Sequence, residues 1–341
     1  MNKNNQHKDT ISNKKLAVAL LGATGPVGQK VITLLENHPL FELVEIAASE
    51  SSDGQIYGDR VQWKNEVALP SRVASMRLLS LLDVKSKYVI SALPTDIALT
   101  VEPELANRGH IVCSNASAFR MDNRVPLLIP EVNSAHLAML DSQPWAGKIL
   151  TNPNCSTVFL AGALAPLQVL GEIDHVNVVT MQALSGAGYP GVSAFDLMGN
   201  IIPHIGGEED KIRLETKKIL GVGNNHAKFG ITVHVNRVPV LHGHTVAVHV
   251  RFKNPVTADQ VLQVFKKSES EFENFIKVHM EQDRPQPLRD LTPHDMRIHV
   301  GRVKQGDDPH VVGFISLGHN LVRGAAGAAI AILESYLKNK V

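Results

Sequence analysis

The chain has 341 residues, 44% of them apolar and 20% charged, a composition typical of a globular protein long enough for two domains. Lysine and arginine number 34 against 33 aspartate and glutamate residues, so no positive excess indicates a nucleic-acid or membrane surface. The only two cysteines are Cys113 and Cys155, and no apolar run approaches the roughly 20 residues of a membrane-spanning helix. We therefore expect a cytoplasmic protein without disulfides whose partners are small molecules, with no nucleic acid and no membrane among them.

The start of the chain is polar and carries no apolar segment of the kind found in a secretory signal. We expect residues 1–15 to form a disordered tail. Leu16–Leu21 is then a continuous apolar run, which is typical of a parallel strand buried on both faces. The folded part of the chain should therefore begin at residue 16.

A glycine-rich turn joins this strand to a helical pattern that runs through Val31 and Leu35. Such a turn lets the backbone approach a pyrophosphate, whose charge the helix N-terminus then stabilises. The spacing is GxxGxxG rather than the commoner GxGxxG, and its position after the first strand favours dinucleotide binding over a structural turn. The turn residues expected to bind the cofactor are Gly22, Thr24, Gly25, Pro26, Val27 and Gly28.

The segment after the second strand, Leu43–Ala48, bears on which dinucleotide binds. NAD sites place an acidic residue about 20 residues beyond the glycines, whereas NADP sites present hydroxyls or cations to the 2′-phosphate. Ser49 and Ser52 favour NADP. Glu50 and Asp53 favour NAD, and no lysine or arginine lies in the segment. We expect NADP, with the two serines among its contacts.

Strands and helices go on alternating through the first half of the chain. Tyr88–Leu93 and His110–Ser114 read as strands, with a helix from Thr95 to Arg108 between them. This alternation predicts a doubly wound parallel sheet, that is, a Rossmann-type domain. Ala92 would lie at the carboxyl edge of that sheet and contact the cofactor. Cys113, in the middle of a strand, is expected in the core.

Cys155 follows a short strand end, Lys148–Leu150, and precedes an apolar helical pattern, Val158–Leu164. It should lie at a helix N-terminus, where unpaired backbone N–H groups favour a thiolate over a thiol. Cysteines in such places titrate roughly one to five units below the free value of about 8.5. A small buried residue is the alternative, but the polar turn 152–154 that leads to Cys155 favours a nucleophile.

Beyond that helix the pattern changes to long strands, several of them alternating. Ile231, Val233 and Val235 face one way, and the polar residues between them face the other. Such alternation predicts a mixed, mostly antiparallel sheet with one covered face. The predicted strands are Val176–Leu184, Ile231–Val240, Thr245–Phe252, Arg297–Val303 and Val311–Leu317, and the predicted helices are Gly207–Leu220, Thr257–Ile276 and Val322–Leu337. The last helix, rich in glycine and alanine at its start, should pack closely against the first domain.

A cysteine nucleophile beside a dinucleotide fold indicates one reaction class. The thiolate adds to a carbonyl carbon, hydride moves to or from a nicotinamide, and an acyl-thioester is the intermediate. The predicted organisation is α/β. Residues 16–153 with 318–341 form the Rossmann-type dinucleotide-binding domain, and residues 154–317 form an α+β domain for catalysis and dimerisation.

Several spaced motifs resemble those of the aspartate-semialdehyde dehydrogenase family, in order from residue 16 to about residue 335. They are Gly22–Gly28, Ser91–Pro94, Ser114–Arg120, Asn152–Thr157, Gln182–Gly188, Arg237–Val240 with Gly243–Thr245, and Val322–Gly327. Gly188–Val192 and Gly206–Lys211 are similar to the archaeal and fungal branch of that family. The resemblance implies NADP-dependent reductive dephosphorylation of L-aspartyl 4-phosphate to L-aspartate 4-semialdehyde. This step serves the biosynthesis of lysine, methionine, threonine and diaminopimelate.

The resemblance also implies catalytic roles for three residues. Cys155 would attack the acyl carbon, lose phosphate and hold the thioester that NADPH reduces. His244 would be the general acid/base, although His242 and His249 nearby are alternatives to it. Gln182 would orient the substrate or the thioester through its amide, the alternative being a strand-end amide with a structural role.

The charges of the substrate call for opposite charges, which the resemblance assigns to four residues. Arg237 would bind the α-carboxylate and Glu208 the α-ammonium. Arg120 and Lys211 would hold the phosphate. The charged run 208–211 could equally be a solvated helix start. Ser185, Gly186 and Asn320 would complete the nicotinamide side, and no metal is expected.

The chain departs from the family pattern after the second strand. Ser51 and Gln55 stand where this branch carries an arginine and a lysine, which leaves NAD or dual cofactor use open. The nearest alternative is an N-acetyl-γ-glutamyl-phosphate reductase, which would carry Pro-Gly-Cys in place of Pro-Asn-Cys. A non-catalytic dinucleotide-binding homologue is a third possibility. The resemblance further implies a homodimer or homotetramer with aspartyl phosphate and phosphate as small-molecule partners.

Overall fold

The computed structural model describes residues 15–339, so the predicted tail lies outside the described residues except for Lys15. The strands are β1 (Leu16–Leu21), β2 (Phe41–Ala47), β3 (Tyr88–Ser91), β4 (Ile111–Ser114), β5 (Lys148–Thr151), β6 (Ile173–Gln182), β7 (Gly230–Arg237), β8 (His244–Phe252), β9 (Ile276–Val278), β10 (Ile298–Gln305) and β11 (Val311–Gly318). The α-helices are α1 (Pro26–Leu35), α2 (Tyr57–Arg60), α3 (Ser71–Ala74), α4 (Thr95–Asn107), α5 (Pro130–Asn133), α6 (Cys155–Leu167), α7 (Ala194–Leu197), α8 (Glu208–Ile219), α9 (Ala258–Glu271), α10 (Pro287–Asp290) and α11 (Gly327–Lys338).

The first five strands form a parallel sheet in the order β2-β1-β3-β4-β5. Val18 and Leu20 of β1 face α1 and α11, whereas Ala19 and Leu21 face the side that α4 covers. All four side chains are buried, as an unbroken apolar strand requires. The predicted Rossmann-type arrangement is confirmed, and the carboxyl ends of these strands define the edge where a dinucleotide binds.

The C-terminal helix returns to this sheet, as predicted. A π-helical turn, Val322–Ala326, leads into α11, whose Ile330 and Leu333 lie in the core beside β4. Cys113 of β4 is fully buried, and its Sγ donates a hydrogen bond to the carbonyl oxygen of Ala329 at 3.2 Å. The expectation that Cys113 is a core residue is therefore confirmed.

The remaining six strands form a mixed sheet in the order β7-β6-β8-β11-β10-β9. The outer pairs β7-β6 and β9-β10 are parallel, and the three pairings between them are antiparallel. Ile231, Val233 and Val235 of β7 are buried against α6, α8 and α9, while Thr232 and His234 are exposed. The predicted alternation, with one covered face, is confirmed.

Two features of this half differ from the predicted elements. The helix predicted to reach Ile276 ends at Glu271, because the next residue, Phe272, has an extended backbone with φ of −121° and ψ of 97°. Asn274 then adopts a left-handed backbone with φ of 62°, so the helix does not resume. Ile276 instead begins β9, a short strand that the pattern did not indicate and that pairs with β10. Helix α9 begins with a capping box, in which the Thr257 side chain and the Gln260 side chain each bind the other residue's backbone N–H.

Helix α6 links the two sheets and places its first turn between them. Phe159 lies against Gly318 so closely that a Cβ on that glycine would be 2.0 Å from the ring. The Ser316 hydroxyl donates to the carbonyl oxygen of Phe159 at 3.0 Å, which ties the helix to β11. Among residues 15–339 there is no helix with the length and apolar character needed to cross a membrane.

Candidate active site

Cys155 is the first residue of α6, as predicted, and Asn154 caps the helix. The Asn154 Oδ1 atom accepts hydrogen bonds from the backbone N–H groups of Ser156 at 3.0 Å and Thr157 at 3.3 Å. Such a cap fixes the first turn and directs the positive end of the helix dipole towards the thiol. The backbone of Gly324 covers the other side, where a Cβ would be 2.7 Å from the Cβ of Cys155.

The predicted depression of the Cys155 pKa is wrong for the protein as described. Burial, followed by the nearby Glu208 carboxylate, raises the pKa of the Cys155 thiol to about 12. The Arg120 cation, a backbone hydrogen bond and the Arg237 cation act in the opposite direction but are outweighed. Cys155 is half-buried and lines a cavity, but its side chain is a thiol near neutral pH.

A cavity of about 220 Å³ lies in front of the thiol, where the two sheets meet. It brings together predicted residues from distant parts of the chain, because α1 and α6 both begin there and the turn after β6 reaches the same place. The predicted site residues that line it are Pro26, Val27, Arg120, Cys155, Ser185, Gly186 and Asn320. Buried oxygens of Asn115 and Asn152, both on its lining, have no hydrogen-bond donor among the described residues, which suits a polar ligand.

Gln182, Arg237 and His244 lie side by side at the edge of the mixed sheet. Gln182 is the residue opposite Arg237 in the β6-β7 register. Met181 is opposite Thr245 in the β6-β8 register, which places Gln182 beside His244. The Gln182 Nε2 atom donates to the Thr180 hydroxyl at 3.3 Å, so the amide nitrogen also forms a hydrogen bond within the end of strand β6.

His244 is fully buried, and its ring orientation is set by the backbone. The N–H of Ala183 donates to His244 Nδ1 at 2.9 Å, so the neutral ring carries its proton on Nε2. That Nε2 atom has no partner among the described residues. It faces Gly186 on the cavity wall, since a Cβ there would be 3.0 Å from Nε2 and 3.2 Å from Arg237 Nη1.

The charge state of His244 follows from the same surroundings. Burial, then the Arg237 cation and His319, lower the pKa of His244 to about 3. The ring is therefore neutral near pH 7 and carries an N–H donor that faces Gly186, a residue of the cavity lining. This geometry suits a hydrogen-bond donor or general acid better than a base that takes the thiol proton.

Glu208 and Lys211 begin α8 and are linked to the residue that precedes the thiol. Lys211 Nζ donates to Glu208 Oε1 at 3.1 Å, and Asn154 Nδ2 donates to Glu208 Oε2 at 2.7 Å. Glu208 is buried, so it is not part of a solvated helix start. The structure thus brings Glu208 close to Cys155 through Asn154, and Lys211 joins the group through its contact with Glu208.

Two further charged residues of α8 were missed by the sequence analysis. Glu215 and Lys218 continue the spacing of Glu208 and Lys211, which puts all four on one helix face. Both are buried, and Lys218 Nζ donates to three backbone carbonyls of segment 120–125 at 2.7 to 2.8 Å. Burial lowers the pKa of Lys218 to about 8. The signal in the sequence was this spacing combined with apolar residues on the same face.

The glycine-rich turn has the shape that a pyrophosphate requires. Gly22 has a φ of 74°, and a Cβ there would be 2.5 Å from the carbonyl oxygen of Ala92. A Cβ on Gly28 would be 2.3 Å from the oxygen of Gly22, so both glycines permit close packing. Helix α1 begins at Pro26, its N-cap residue Gly25 provides no side-chain cap, and its first-turn N–H groups keep no side-chain acceptor. The carbonyl of Thr24 accepts from Gln29 and holds the turn.

Two arginines from later in the chain contact the loop after β2. Ser52 is buried, and its hydroxyl accepts from Arg60 Nε at 3.1 Å. Arg77 Nη1 donates to the carbonyl of Gly54 in the same loop. Ser49 Oγ lies 3.0 Å from Ser51 Oγ. Two cations therefore flank the serines, although neither occupies the position of the expected arginine or lysine.

Asn320 connects the turn after β6 to the start of β8, the strand that carries His244. Its Nδ2 atom donates to the Ser185 hydroxyl at 2.8 Å, and its Oδ1 accepts from the N–H of Gly243 at 2.9 Å. Gly243 immediately precedes His244. Among residues 15–339 there is no cluster of three or more histidine, cysteine, aspartate or glutamate side chains that could hold a metal ion.

Comparisons with known proteins agree with this arrangement. A family described as "Semialdehyde dehydrogenase, NAD binding domain" matches residues 17–140, and one described as "Semialdehyde dehydrogenase, dimerisation domain" matches residues 164–323. Aspartate-semialdehyde dehydrogenase of Archaeoglobus fulgidus is 43% identical, covering 96% of this chain and 99% of the relative. That of Trichophyton rubrum is 40% identical, covering 96% and 98%.

A solved structure leads to the same family. The crystal structure of aspartate semialdehyde dehydrogenase with NADP from Candida albicans superposes with a TM-score of 0.85 and 33% identity, covering 96% of this chain and 100% of that one.

The raised pKa of Cys155 can be tested by alkylation. We expect the rate of iodoacetamide modification of Cys155, measured by peptide mass spectrometry without substrate, to rise about tenfold per pH unit between about pH 7 and pH 10. The reason is that the thiolate fraction keeps growing below a pKa of about 12. Cys113, fully buried, serves as the internal unreactive control. A rate that levels off below about pH 8 would contradict the raised pKa.

Proposed function

The chain belongs to the aspartate-semialdehyde dehydrogenase family, and we propose that Cys155 and the charged residues around it carry the reaction of that family. The enzyme reductively dephosphorylates L-aspartyl 4-phosphate to L-aspartate 4-semialdehyde, in the biosynthesis of lysine, methionine, threonine and diaminopimelate. The observation that supports the proposed residues best is the cavity that joins the thiol at the α6 N-terminus to Arg120, Ser185 and Asn320.

The charges of the substrate match the charges beside the thiol. Arg237 would bind the α-carboxylate and Glu208 the α-ammonium, while Arg120 and Lys211 would hold the phosphate. Binding of an ammonium group at Glu208 would neutralise a carboxylate that raises the pKa of Cys155. The substrate itself would therefore favour the thiolate. An N-acetylated amine would give Glu208 no counter-charge, which disfavours the N-acetyl-γ-glutamyl-phosphate reductase alternative.

The first half-reaction forms the thioester. The sulfur of Cys155 bonds to the acyl carbon, the bond from that carbon to the phosphate oxygen breaks, and the proton of the thiol leaves with the phosphate. Arg120, whose side chain lines the cavity, would stabilise the departing dianion. Gln182 would hold the acyl group in place from the strand edge.

The second half-reaction releases the aldehyde. When bound, NADPH supplies the hydride that reduces the thioester. His244 would donate its Nε2–H to the oxygen that becomes negative, and this oxyanion collapses as the thiolate of Cys155 leaves. The thiolate then takes up one proton. In this account His244 acts as a donor, because its Nδ1 is held by the N–H of Ala183.

NADP is the cofactor that the loop after β2 supports. The glycine turn and the uncapped start of α1 fit a pyrophosphate. We propose that the 2′-phosphate lies beside Ser49 and Ser52, and that Arg60 supplies a cation that Ser51 and Gln55 do not. The relative from Candida albicans was crystallised with NADP. NAD remains an outcome of the test.

The mixed sheet supports self-association. The chain contains a domain of the dimerisation type, and one face of its mixed sheet leaves Val179 of β6 41% exposed beside exposed polar residues. We propose a homodimer through this face, with a homotetramer as the larger assembly. The free thiol of Cys155 must stay reduced, which supports a cytoplasmic location.

The reaction is tested in the oxidative direction with L-aspartate 4-semialdehyde, phosphate and NADP. We expect cofactor reduction that depends on phosphate, and a loss of kcat by a factor on the order of 10³ or more in Cys155→Ser, because the nucleophile is removed. Cys113→Ala, a thiol outside the site, should retain activity. A Cys155→Ser enzyme with wild-type kcat would refute the proposed nucleophile, and no reduction by the wild type would refute the reaction.

The role of Arg60 is tested by cofactor preference. Arg60→Gln should lower kcat/KM for NADP roughly 10- to 100-fold, the value of a hydrogen bond to a charged group. The value for NAD should stay within about twofold, since NAD has no 2′-phosphate. Arg289→Gln removes a positive charge from an exposed residue and should change neither value. An equal loss with both cofactors would show that Arg60 does not read the 2′-phosphate.

A further inference from the structure

Glu215 is a buried carboxylate with 1% of its surface exposed, on the face of α8 that also carries Glu208. A carboxylate so deep in a protein must be compensated by hydrogen bonds or an opposite charge. It has both. Arg120 Nη1 donates to Glu215 Oε1 at 3.0 Å, and the backbone N–H of Asn154 donates to Glu215 Oε2 at 2.6 Å.

The first contact fixes the orientation of the guanidinium group. Arg120 Nη2 donates to the carbonyl of Asn115 at 2.7 Å, so Glu215 and Asn115 hold both terminal nitrogens. The Nε atom has no acceptor among the described residues. Because the guanidinium is planar, two fixed nitrogens determine where its remaining N–H groups point. Arg120 lines the cavity in front of Cys155, so these groups are directed by Glu215.

The main chain that carries Arg120 is held by the same helix. Lys218 lies three residues after Glu215, and its ammonium group donates to the carbonyls of Arg120, Asp122 and Val125. All three N–H donors of the lysine are thereby satisfied. Helix α8 therefore fixes the backbone of the segment through one side chain and the guanidinium group through another.

The second contact fixes the residue in front of the nucleophile. Asn154 donates its backbone N–H to Glu215 and its Nδ2 to Glu208, and its Oδ1 caps α6. The peptide that precedes Cys155 is thus anchored to the carboxylate that also aims the arginine. One side chain sets the position of the cation relative to the sulfur.

We propose that Glu215 is a positioning residue for the reaction, which directs Arg120 at the phosphate group of the substrate and holds the peptide in front of Cys155. The proposal rests on the phosphate-binding role assigned to Arg120 above. Glutamine cannot replace it. Its Oε1 could accept from Asn154, but its amide N–H groups would then face the N–H groups of Arg120.

The test measures which kinetic constant changes in Glu215→Gln. In the oxidative assay we expect KM for phosphate to rise roughly 10- to 100-fold, the value of a hydrogen bond to a charged group, with KM for L-aspartate 4-semialdehyde within about twofold. Glu209→Gln is the matched control, since Glu209 is exposed on the same helix and should leave both constants unchanged. Thermal unfolding of each variant reports the amount of folded enzyme.

A double-mutant cycle separates positioning from a general structural role. If Glu215 acts through Arg120, then Arg120→Gln with Glu215→Gln should raise KM for phosphate no further than Arg120→Gln alone. Losses that multiply would overturn the proposal. A fall in kcat with unchanged KM for phosphate in Glu215→Gln would overturn it as well, because that is the sign of less folded or misassembled enzyme.

The single variants distinguish the phosphate-binding role of Arg120 from the positioning role of Glu215. If Arg120→Gln leaves KM for phosphate unchanged, the phosphate-binding role of Arg120 is wrong, and the role of Glu215 falls with it. If Arg120→Gln raises that constant and Glu215→Gln does not, only the positioning role is wrong.

Discussion

The site depends on the hydrogen bonds of Asn154, because they join the nucleophile to the charges that surround it. Its side-chain oxygen caps α6 at Ser156, its amide nitrogen binds Glu208, and its backbone N–H binds Glu215. These bonds fix the position of α6, which carries Cys155, relative to α8, which carries Glu208 and Glu215. A displacement of either helix would change the distance between the sulfur and its charged neighbours, on which the chemistry depends.

The second constraint is the balance of charge around a buried sulfur. Burial and Glu208 keep Cys155 protonated, while Arg120 and Arg237 act against them. A thiol that stays protonated near neutral pH is protected from adventitious alkylation and oxidation. The neutral ring of His244 fits the same logic, since it offers a donor without adding charge beside Arg237. The two reactive groups, the Cys155 thiol and the His244 ring, are therefore both uncharged near neutral pH in the protein without ligand.

The features that were predicted correctly from the sequence are those that a local pattern of residues determines. Residue spacing alone determines the apolar run of β1, the glycine turn 22–28 and the place of Cys155 at a helix start. The pKa of Cys155 could not be predicted, because it depends on burial and on charges that only folding brings near. Arg60 was missed because α2 folds back onto a loop eight residues earlier. Glu215 was missed because a glutamate on a polar helix normally faces solvent.

The proposed reaction requires an aspartyl thioester at Cys155. Mixing the enzyme with L-aspartate 4-semialdehyde and NADP without phosphate, then quenching in acid, allows the acylated peptide to be identified by mass spectrometry. We predict one aspartyl group on the peptide that contains Cys155, formed together with a stoichiometric burst of NADPH, and its disappearance when phosphate is added. An acyl group on another residue, or a burst without any acylated peptide, would contradict the account.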